Sequence, residues 1–412
     1  MEPVISNKTL SSSTMKFRLS GVNYTIANAL RRTIVSDIPT VIFRTTPYTE
    51  NKASFLKNTT RFHNEILKQR LSCIPIHFLS STIPDFYSLD IGYVDGLLKT
   101  KKILDKYLLE LDETNTSDVS MNVTTGHFKI FDKEANKYIP QSEVKLIFPP
   151  FIPYNKDTEY YILYVKLRPK ITDDIPGESI QMTSEFSYGS AKEDGSFSVV
   201  QTCAYGNTVD EEAAELKLQE KKSEWSSTMN LEEIERESEN WMLLERKRIF
   251  LPNSFDFTVE SIGVYDNEML VTKACEIIIE RLHLLNYSID ADKFEIKTSP
   301  NITENSYDVV LFNDDYTIGT MLQYVLYITY YPDVMNYCGY KKMHPDDSYS
   351  IIRLSYNEPV GHETIKEQCK TSIILLIDVF QKIRKMIIPD EPLFEVRPTE
   401  DWDVALEKFY KY

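Results

Sequence analysis

The 412-residue sequence predicts an α+β fold that contains two related units in one chain. Three observations support this prediction. Short strand-like runs alternate with amphipathic helical stretches. The segment Tyr24–Arg31 (YTIANALR) resembles Tyr316–Gln323 (YTIGTMLQ), and each follows a strand-like run and a polar residue that can cap a helix. Each half also ends in a long helix with an apolar seam, at 267–285 and at 362–388. We interpret the two ends as a pseudo-repeat, with chance similarity over eight residues as the alternative.

The first unit begins with a predicted strand over 14–22 and a helix that Asn23 opens. Asn is a good N-cap because its side-chain oxygen accepts a hydrogen bond from a free backbone N–H. Apolar residues recur every four positions and predict a buried stripe: Ile26, Leu30 and Ile34. Pro39 ends this helix, and another strand is expected at 41–43.

The middle of the chain is mixed. Residues 46–149 contain short apolar runs, a predicted helical piece at 103–111 and a polar loop at 113–122. Further strands are expected at 158–169, 179–186 and 196–205. Residues 210–248 carry twelve acidic and seven basic residues without Pro or Gly, which is typical of a solvated helical insertion.

The first unit ends with a strand at 255–262 and a helix at 267–285 that has apolar residues at steps of three or four. Residues 286–292 are interpreted as a linker to the second unit. Strands at 293–298, 306–312 and 349–356 follow, together with a helix at 316–330 that Asp314 or Asp315 would cap.

The helix at 362–388 carries a seam with steps of four and three: Cys369, Ile373, Leu376, Phe380, Ile383 and Ile387. Such a heptad-like seam predicts a partner helix.

Composition excludes several functions. The chain has 46 basic and 62 acidic residues, and its net charge of −16 disfavours general binding to DNA or RNA. Only 12 glycines are present and no phosphate-binding glycine motif occurs. Five cysteines are dispersed without any CxxC pair, which predicts reduced thiols in a cytosolic-type compartment. The N-terminal residues lack the apolar core of a signal peptide, and no apolar run approaches the length of a membrane span.

The residues 17–43, FRLSGVNYTIANALRRTIVSDIPTVIF, resemble the signature of alpha-type RNA polymerase subunits. This family includes the bacterial alpha subunit and the eukaryotic and archaeal third-subunit relatives. Asn58, Glu65 and the run Arg70–Pro75 (RLSCIP) fit the continuation of that signature. The C-terminal runs NDDYTIGTMLQYVL and CGYKKMHPDD are similar to the small eleventh-subunit-like partner. The chain therefore resembles a fusion of both modules, an arrangement familiar in polymerases of large cytoplasmic DNA viruses.

The resemblance implies a domain organisation. A split dimerisation domain (10–45 plus 150–290) would carry an inserted domain (46–149), and 208–249 would be an acidic helical insertion. The eleventh-subunit-like module (291–412) would pair with the first unit within the chain, as in an isologous dimer.

The resemblance also implies function. The chain would be a non-catalytic assembly platform of a multisubunit DNA-directed RNA polymerase, present in one copy. It would contact the second-largest subunit, small adaptor subunits and, indirectly, the largest subunit, without binding nucleic acid or membranes. If the chain is viral, the cytoplasmic virus factory is its expected location, and the virion is a further one. The partner-binding residues would be Asn28, Arg31, Arg32, Asn58, Glu65, Arg70 and Pro75. The residues of intramolecular dimerisation would be Ile26, Leu30, Ile34, Ile318, Leu322, Ile373, Leu376, Phe380 and Ile383.

No cofactor, metal or catalytic residue is expected. Many third-subunit relatives have a cysteine cluster in the inserted domain, but 46–149 holds only Cys73. His63, Glu65, Cys73 and His77 could suggest an enzyme acting on nucleotides, but the deaminase pattern requires a second cysteine motif that is missing. A general interaction scaffold unrelated to transcription is the other alternative.

The polar candidates also have simpler explanations. Arg31 and Arg32 point about 100° apart, so at least one faces outward when Leu30 faces inward, and a solvated helix face would explain this. Glu65 and Arg70 could form an ion pair in a loop.

Overall fold

The computed structural model describes residues 1–11, 13–80, 104–153, 158–172, 176–299, 304–390, 392–396 and 402. Eight α-helices lie within these residues: α1 (Tyr24–Ser36), α2 (Asn64–Ser72), α3 (Gln141–Ile147), α4 (Glu211–Trp225), α5 (Leu231–Leu243), α6 (Asn267–Asp290), α7 (Tyr316–Tyr330) and α8 (His362–Ile387). In this described part of the chain, none of the helices combines the length and the apolar character needed to cross a membrane.

The same residues form seventeen strands: β1 (Val4–Leu10), β2 (Thr14–Ser20), β3 (Pro39–Ile42), β4 (Ala53–Asn58), β5 (Tyr107–Thr114), β6 (Met121–Thr124), β7 (Lys129–Asp132), β8 (Lys137–Tyr138), β9 (Leu163–Leu167), β10 (Ser179–Glu185), β11 (Ser187–Ser190), β12 (Val200–Val209), β13 (Phe250–Ser261), β14 (Glu295–Thr298), β15 (Ser306–Phe312), β16 (Met335–Lys341) and β17 (Tyr349–Tyr356). Every strand pair is antiparallel.

The first unit is a four-stranded sheet with the order β1-β2-β13-β12. Helix α1 follows β2 and begins where the Asn23 side chain accepts a hydrogen bond from the Thr25 N–H at 3.0 Å. The apolar stripe of α1 is fully buried, which removes its large aliphatic side chains from water. The predicted strand, cap and stripe are all confirmed.

A second four-stranded sheet has the order β14-β15-β17-β16. In both units two strands precede a helix, two more strands follow, and a long helix ends the unit. Both sheets place their strands in the order first, second, fourth and third. The same topology therefore occurs twice, and the sequence echo lies in the equivalent helices α1 and α7.

The four helices of the two units pack together. Helix α1 contacts α6 and α7, and α8 contacts α6 and α7. One continuous hydrophobic cluster contains buried residues from both sheets and all four helices. The guanidinium of Arg384 on α8 donates to Glu276 on α6 at 2.9 Å and adds a polar contact between the two long helices.

An additional layer lies between α1 and β12 in the sequence. Its main sheet has the order β4-β10-β5-β7-β8, and β6 pairs with β9. Strands β9 and β10 come after residue 150 but pair with strands that precede it. The strand pairing thus places the end of the inserted part nearer to residue 190 than to residue 149.

Two local predictions were wrong. The helical piece predicted at 103–111 is strand β5 from Tyr107 onward. Every second residue of this strand is buried (Tyr107, Leu109 and Leu111), which is the side-chain period of a β-strand. Residue 103 lies outside the described residues. The linker predicted at 286–292 is mostly helix, because α6 continues to Asp290. The predicted helical insertion is confirmed as α4 and α5.

Candidate assembly interface

The nine residues predicted to pair the two units lie in one buried cluster. They lie on α1, α7 and α8, and each of the nine residues is at most 1% exposed. The heptad-like seam of α8 meets the apolar stripe of α6, and α1 meets α7 across the junction of the two units. We call this region the helix junction: the buried faces of α1, α6, α7 and α8.

A buried ion cluster connects three segments at the helix junction. Arg281 on α6 donates to Asp37 Oδ2 at 3.0 Å and to Asp314 Oδ1 at 2.7 Å. The side chains of these three residues are 2%, 8% and 10% exposed. Asp37 caps the end of α1, and Asp314 directly precedes the N-cap of α7. One guanidinium thus holds the end of α1 beside the beginning of α7, with two charge-assisted contacts.

The two candidate cap residues of α7 have different roles. Asp315 is the N-cap and accepts a hydrogen bond from the Thr317 N–H at 2.8 Å. Burial alone would raise the pKa of Asp315, but the hydrogen bonds from Thr317 and the nearby arginines bring it well below its usual range. Burial raises the pKa of Asp314, although Arg281 opposes this effect. Arg281 therefore offsets part of the cost of burying the Asp314 carboxylate, next to the Asp315 carboxylate, which is strongly stabilised in its charged form.

The adjacent arginines of α1 have separate partners. Arg32 donates through Nε to Thr317 Oγ1 at 3.0 Å and through Nη2 to Asp315 Oδ2 at 2.7 Å. Arg31 instead donates to Asn28 Oδ1 of its own helix, at 2.9 and 3.1 Å. The expectation that both arginines face a partner protein therefore needs revision for Arg32, since its guanidinium contacts the N-terminus of α7.

We expect Arg32→Ala to lower the free energy of unfolding by about 1 kcal/mol, because it removes a partly exposed, charge-assisted contact between the units. Arg31→Ala is the matched control and should change that free energy by about 0.5 kcal/mol or less. Urea denaturation followed by circular dichroism measures both values. Equal losses in the two variants would contradict a specific role for Arg32.

The second group of predicted partner residues surrounds helix α2. Arg70 donates to the backbone oxygens of Tyr164 and Leu163 at 2.8 and 2.7 Å. It therefore anchors α2 on strand β9. Asn58 donates to the Phe62 carbonyl oxygen at 2.8 Å and orders the turn before α2. These two residues position the helix rather than offering free polar groups.

Glu65 is the most accessible charged member of this group. Its side chain is 72% exposed and pairs with Lys68 at 3.1 Å, so the suggested loop ion pair with Arg70 is not formed. Pro75 is half-buried after the end of α2. Phe62 and Ile66 are exposed beside Glu65, and the sequence reasoning missed them. We call the exposed side chains of Glu65 and Ile66, together with Phe62 just before the helix, the outer face of α2.

No hydrogen bond or ion pair among the described residues joins the α2 group to Asn28, Arg31 or Arg32. The predicted partner residues therefore belong to two groups that no hydrogen bond or ion pair links among the described residues, one on α1 and one around α2. A signal for Arg281 was present in the sequence, because this charged residue occupies a position on the apolar stripe of its helix. Its two carboxylate partners could not be identified from spacing.

The residues of the enzyme alternative are not assembled. His63 occupies the N-cap position of α2 without a side-chain capping bond, and Cys73 is exposed at its other end. His77 lies with Nδ1 3.1 Å from the Gly263 carbonyl oxygen, and burial lowers its pKa. Across the described ranges, no group of three His, Cys, Asp or Glu side chains has a geometry suitable for a metal ion.

The RNA polymerase Rpb3/Rpb11 dimerisation domain matches residues 16–282, from β2 into α6. The chain belongs to this family. The match includes strands β2, β12 and β13 of the first sheet, the inserted layer and most of α6, whereas β1 and the second sheet lie outside it.

Individual RNA polymerase subunits are also similar to this chain. The subunit RPAC1 of DNA-directed RNA polymerases I and III from Bos taurus is 24% identical over 314 residues, which cover 68% of this chain and 83% of the relative. The human RPAC1 is 24% identical over 312 residues, with the same coverage. The subunit Rpo3 of DNA-directed RNA polymerase from Thermococcus kodakarensis is 36% identical over 86 residues, 21% of this chain and 29% of the relative. The chain is thus homologous to alpha-like subunits of DNA-directed RNA polymerases.

Proposed function

We propose that the chain is a non-catalytic assembly subunit of a multisubunit DNA-directed RNA polymerase. The observation that carries this proposal is the repetition of the family topology. The matched region spans the first ββαββα unit from β2 into α6, and residues beyond the match form a second unit with the same strand order. The two dimerisation domains that pair in this family would then lie in one polypeptide.

The two units act as an intramolecular pair in this proposal. The first comprises 10–45 and the segment from β12 to α6, carries the inserted layer that lies between α1 and β12, and bears the acidic insertion 208–249; the second is 291–412. The helix junction supports the pairing because its apolar faces and the Arg281 cluster join the units. Fusion gives one unit an effective concentration on the order of mM near the other and sets their ratio at one to one.

The paired units would offer surfaces to the large polymerase subunits. We propose that Arg31 and the outer face of α2 contact the second-largest subunit, which in turn joins the largest subunit. Small adaptor subunits would bind elsewhere on the same scaffold. An acidic chain suits this role, since it repels nucleic-acid phosphates and leaves template binding and chemistry to other subunits. The five dispersed cysteines favour a reducing compartment such as the cytoplasm.

Affinity purification of the tagged chain, followed by mass spectrometry, tests the proposed function. We expect the two large catalytic subunits to co-purify in a one-to-one ratio with the chain. The purified assembly should also transcribe a DNA template, whereas the chain alone should not. Purification of a folded chain without any large polymerase subunit would exclude the assembly role.

The double variant Glu65→Arg, Ile66→Asp should prevent co-purification of the second-largest subunit. Both side chains are exposed, so the melting temperature of the isolated chain should hardly change. Removing a partner contact and placing the opposite charge in it typically weakens binding by about 2–5 kcal/mol. The control Asp118→Arg, Val119→Asp makes the same exchange at an exposed turn far from α2 in the sequence. Equal recruitment by both double variants would show that the outer face of α2 is not the contact.

A further inference from the structure

The acidic insertion is an ordered two-helix arm. Strands β12 and β13 pair as far as Val209 and Phe250, and the arm lies between them. Asp210 caps α4 by accepting a hydrogen bond from the Ala213 N–H at 3.0 Å. Asn230 and Glu233 form a capping box at the start of α5, with bonds of 2.9 and 3.0 Å. Both helices therefore begin at residues suited to start them.

The arm has a small core of its own. Ala214, Leu218 and Trp241 form a hydrophobic cluster separate from the main core, and it closes the two helices against each other. Because so few side chains pack between the two helices, most of the surface of each helix stays uncovered. Along α5, Leu231 is 85% exposed and Met242 is 41% exposed. Large apolar side chains in such positions indicate an interaction surface when they lie together on one face.

One face of α5 combines apolar ends with an acidic centre. Leu231, Glu235, Glu239 and Met242 follow one another at steps of four, four and three, so they share a face about 16 Å long. All four side chains are exposed. Within the residues that the structure describes, neither Glu235 nor Glu239 has an ion-pair partner. We call this surface the outer face of α5.

We propose that the outer face of α5 docks a cationic amphipathic segment of another protein. Two basic side chains of that segment would lie opposite Glu235 and Glu239, and apolar side chains would cover Leu231 and Met242. Charge complementarity selects this occupant, because the arm has five more acidic than basic residues. The same charge repels nucleic-acid phosphates, anionic lipids and a second copy of this chain, whose net charge is −16.

A synthetic helical peptide provides the test. It carries Leu, Lys, Lys and Leu at steps of four, four and three, and fluorescence anisotropy measures its binding to the full chain. Glu235→Lys, Glu239→Lys should weaken binding by about tenfold or more, because repulsion replaces attraction. Leu231→Ser, Met242→Ser should weaken it comparably without changing the charge. The control Glu215→Lys, Glu220→Lys makes the same charge change on α4 and should have less than about a twofold effect.

Several results would overturn the proposal. An equal loss in the α4 control would mean that the arm attracts cations without a defined docking face. Absence of binding to the unmodified chain would have the same consequence. Self-association in sedimentation velocity that Glu235→Lys, Glu239→Lys abolishes would identify a second copy as the occupant. Binding of a DNA duplex that depends on the same face would identify nucleic acid. Because all substituted side chains are exposed, unchanged melting curves should accompany each measurement.

Discussion

Replacing Ile373 with Asp is expected to unfold the chain under conditions in which the unmodified protein is stable. Ile373 is fully buried on α8, inside the cluster that joins both units. An unpaired carboxylate in such a site costs several kcal/mol, and the lost aliphatic packing adds to that cost. Since the total stability of a protein is about 5–15 kcal/mol, a single charge can remove much of it. Urea denaturation followed by circular dichroism measures the loss.

The neighbouring residue is a matched control for this substitution. Ile374 has the same side chain on the same helix but is 60% exposed. Ile374→Asp should therefore change the free energy of unfolding by about 0.5 kcal/mol or less. If both variants lose the same stability, the effect arises from α8 itself and not from its packing against the other unit.

The same substitution can be examined on separated units. Because α6 continues to Asp290, the chain should be divided between residues 291 and 292 and not near Asn286, which lies within the helix. Fragments 1–291 and 292–412 should co-elute when they are co-expressed. Ile373→Asp or Leu376→Asp in the second fragment should abolish co-elution. Elution of the unmodified fragments as separate folded monomers would contradict the intramolecular pair.

Local signals explain which elements could be predicted. The cap at Asn23, the stripe of α1 and the seam of α8 depend on residues within a few turns of each other. Each was therefore visible in the sequence and is present in the structure. The piece at 103–111 was misassigned because a short apolar run fits both a helix and a strand. Its pairing with β10, more than sixty residues later, decides in favour of the strand.

The polar part of the helix junction depends on contacts that are distant in sequence. Arg281 lies 244 residues from Asp37 and 33 residues from Asp314. Arg32 reaches Asp315 across 283 residues. Periodicity could place Arg281 on a buried stripe but could not supply its partners. For the same reason, the sequence could not distinguish an arginine that joins the two units from one that faces a partner protein.

The group around α2 was predicted by resemblance rather than by residue chemistry. Arg70 and Asn58 occur where the family signature places them, but both serve mainly to fix the helix on β9 and on the preceding turn. The exposed apolar residues Phe62 and Ile66 were missed because exposure depends on tertiary packing. The sequence motif thus predicted a partner surface around α2, whereas the folded chain shows which side chains of this group are accessible.

Arg281→Met is expected to destabilise the chain by about 3–5 kcal/mol. The substitution keeps an apolar side chain of similar length but leaves the carboxylates of Asp37 and Asp314 buried without their cation. Burial already raises the pKa of Asp314 in the intact protein, and loss of Arg281 should raise it further. A carboxyl group with a raised folded-state pKa supports stability at low pH and loses it as the pH rises through that pKa. Lowering the pH from 7 to 5 should therefore stabilise the variant more than it stabilises the unmodified chain, because Asp314 takes up a proton more readily in the variant.

Two further variants show whether the buried charges cause this loss. Arg18→Met removes an arginine that pairs with Asp256 at 2.7 Å on the surface of the first sheet, and it should cost about 1 kcal/mol or less. The triple variant Arg281→Met, Asp37→Asn, Asp314→Asn removes the uncompensated carboxylates and should recover most of the stability lost in Arg281→Met. Recovery would mean that the cluster positions α1 against α7 through balanced charge. If the triple variant is no more stable than Arg281→Met, the contribution of Arg281 comes from the packing of its aliphatic stem, and the ion cluster does not hold the two units together.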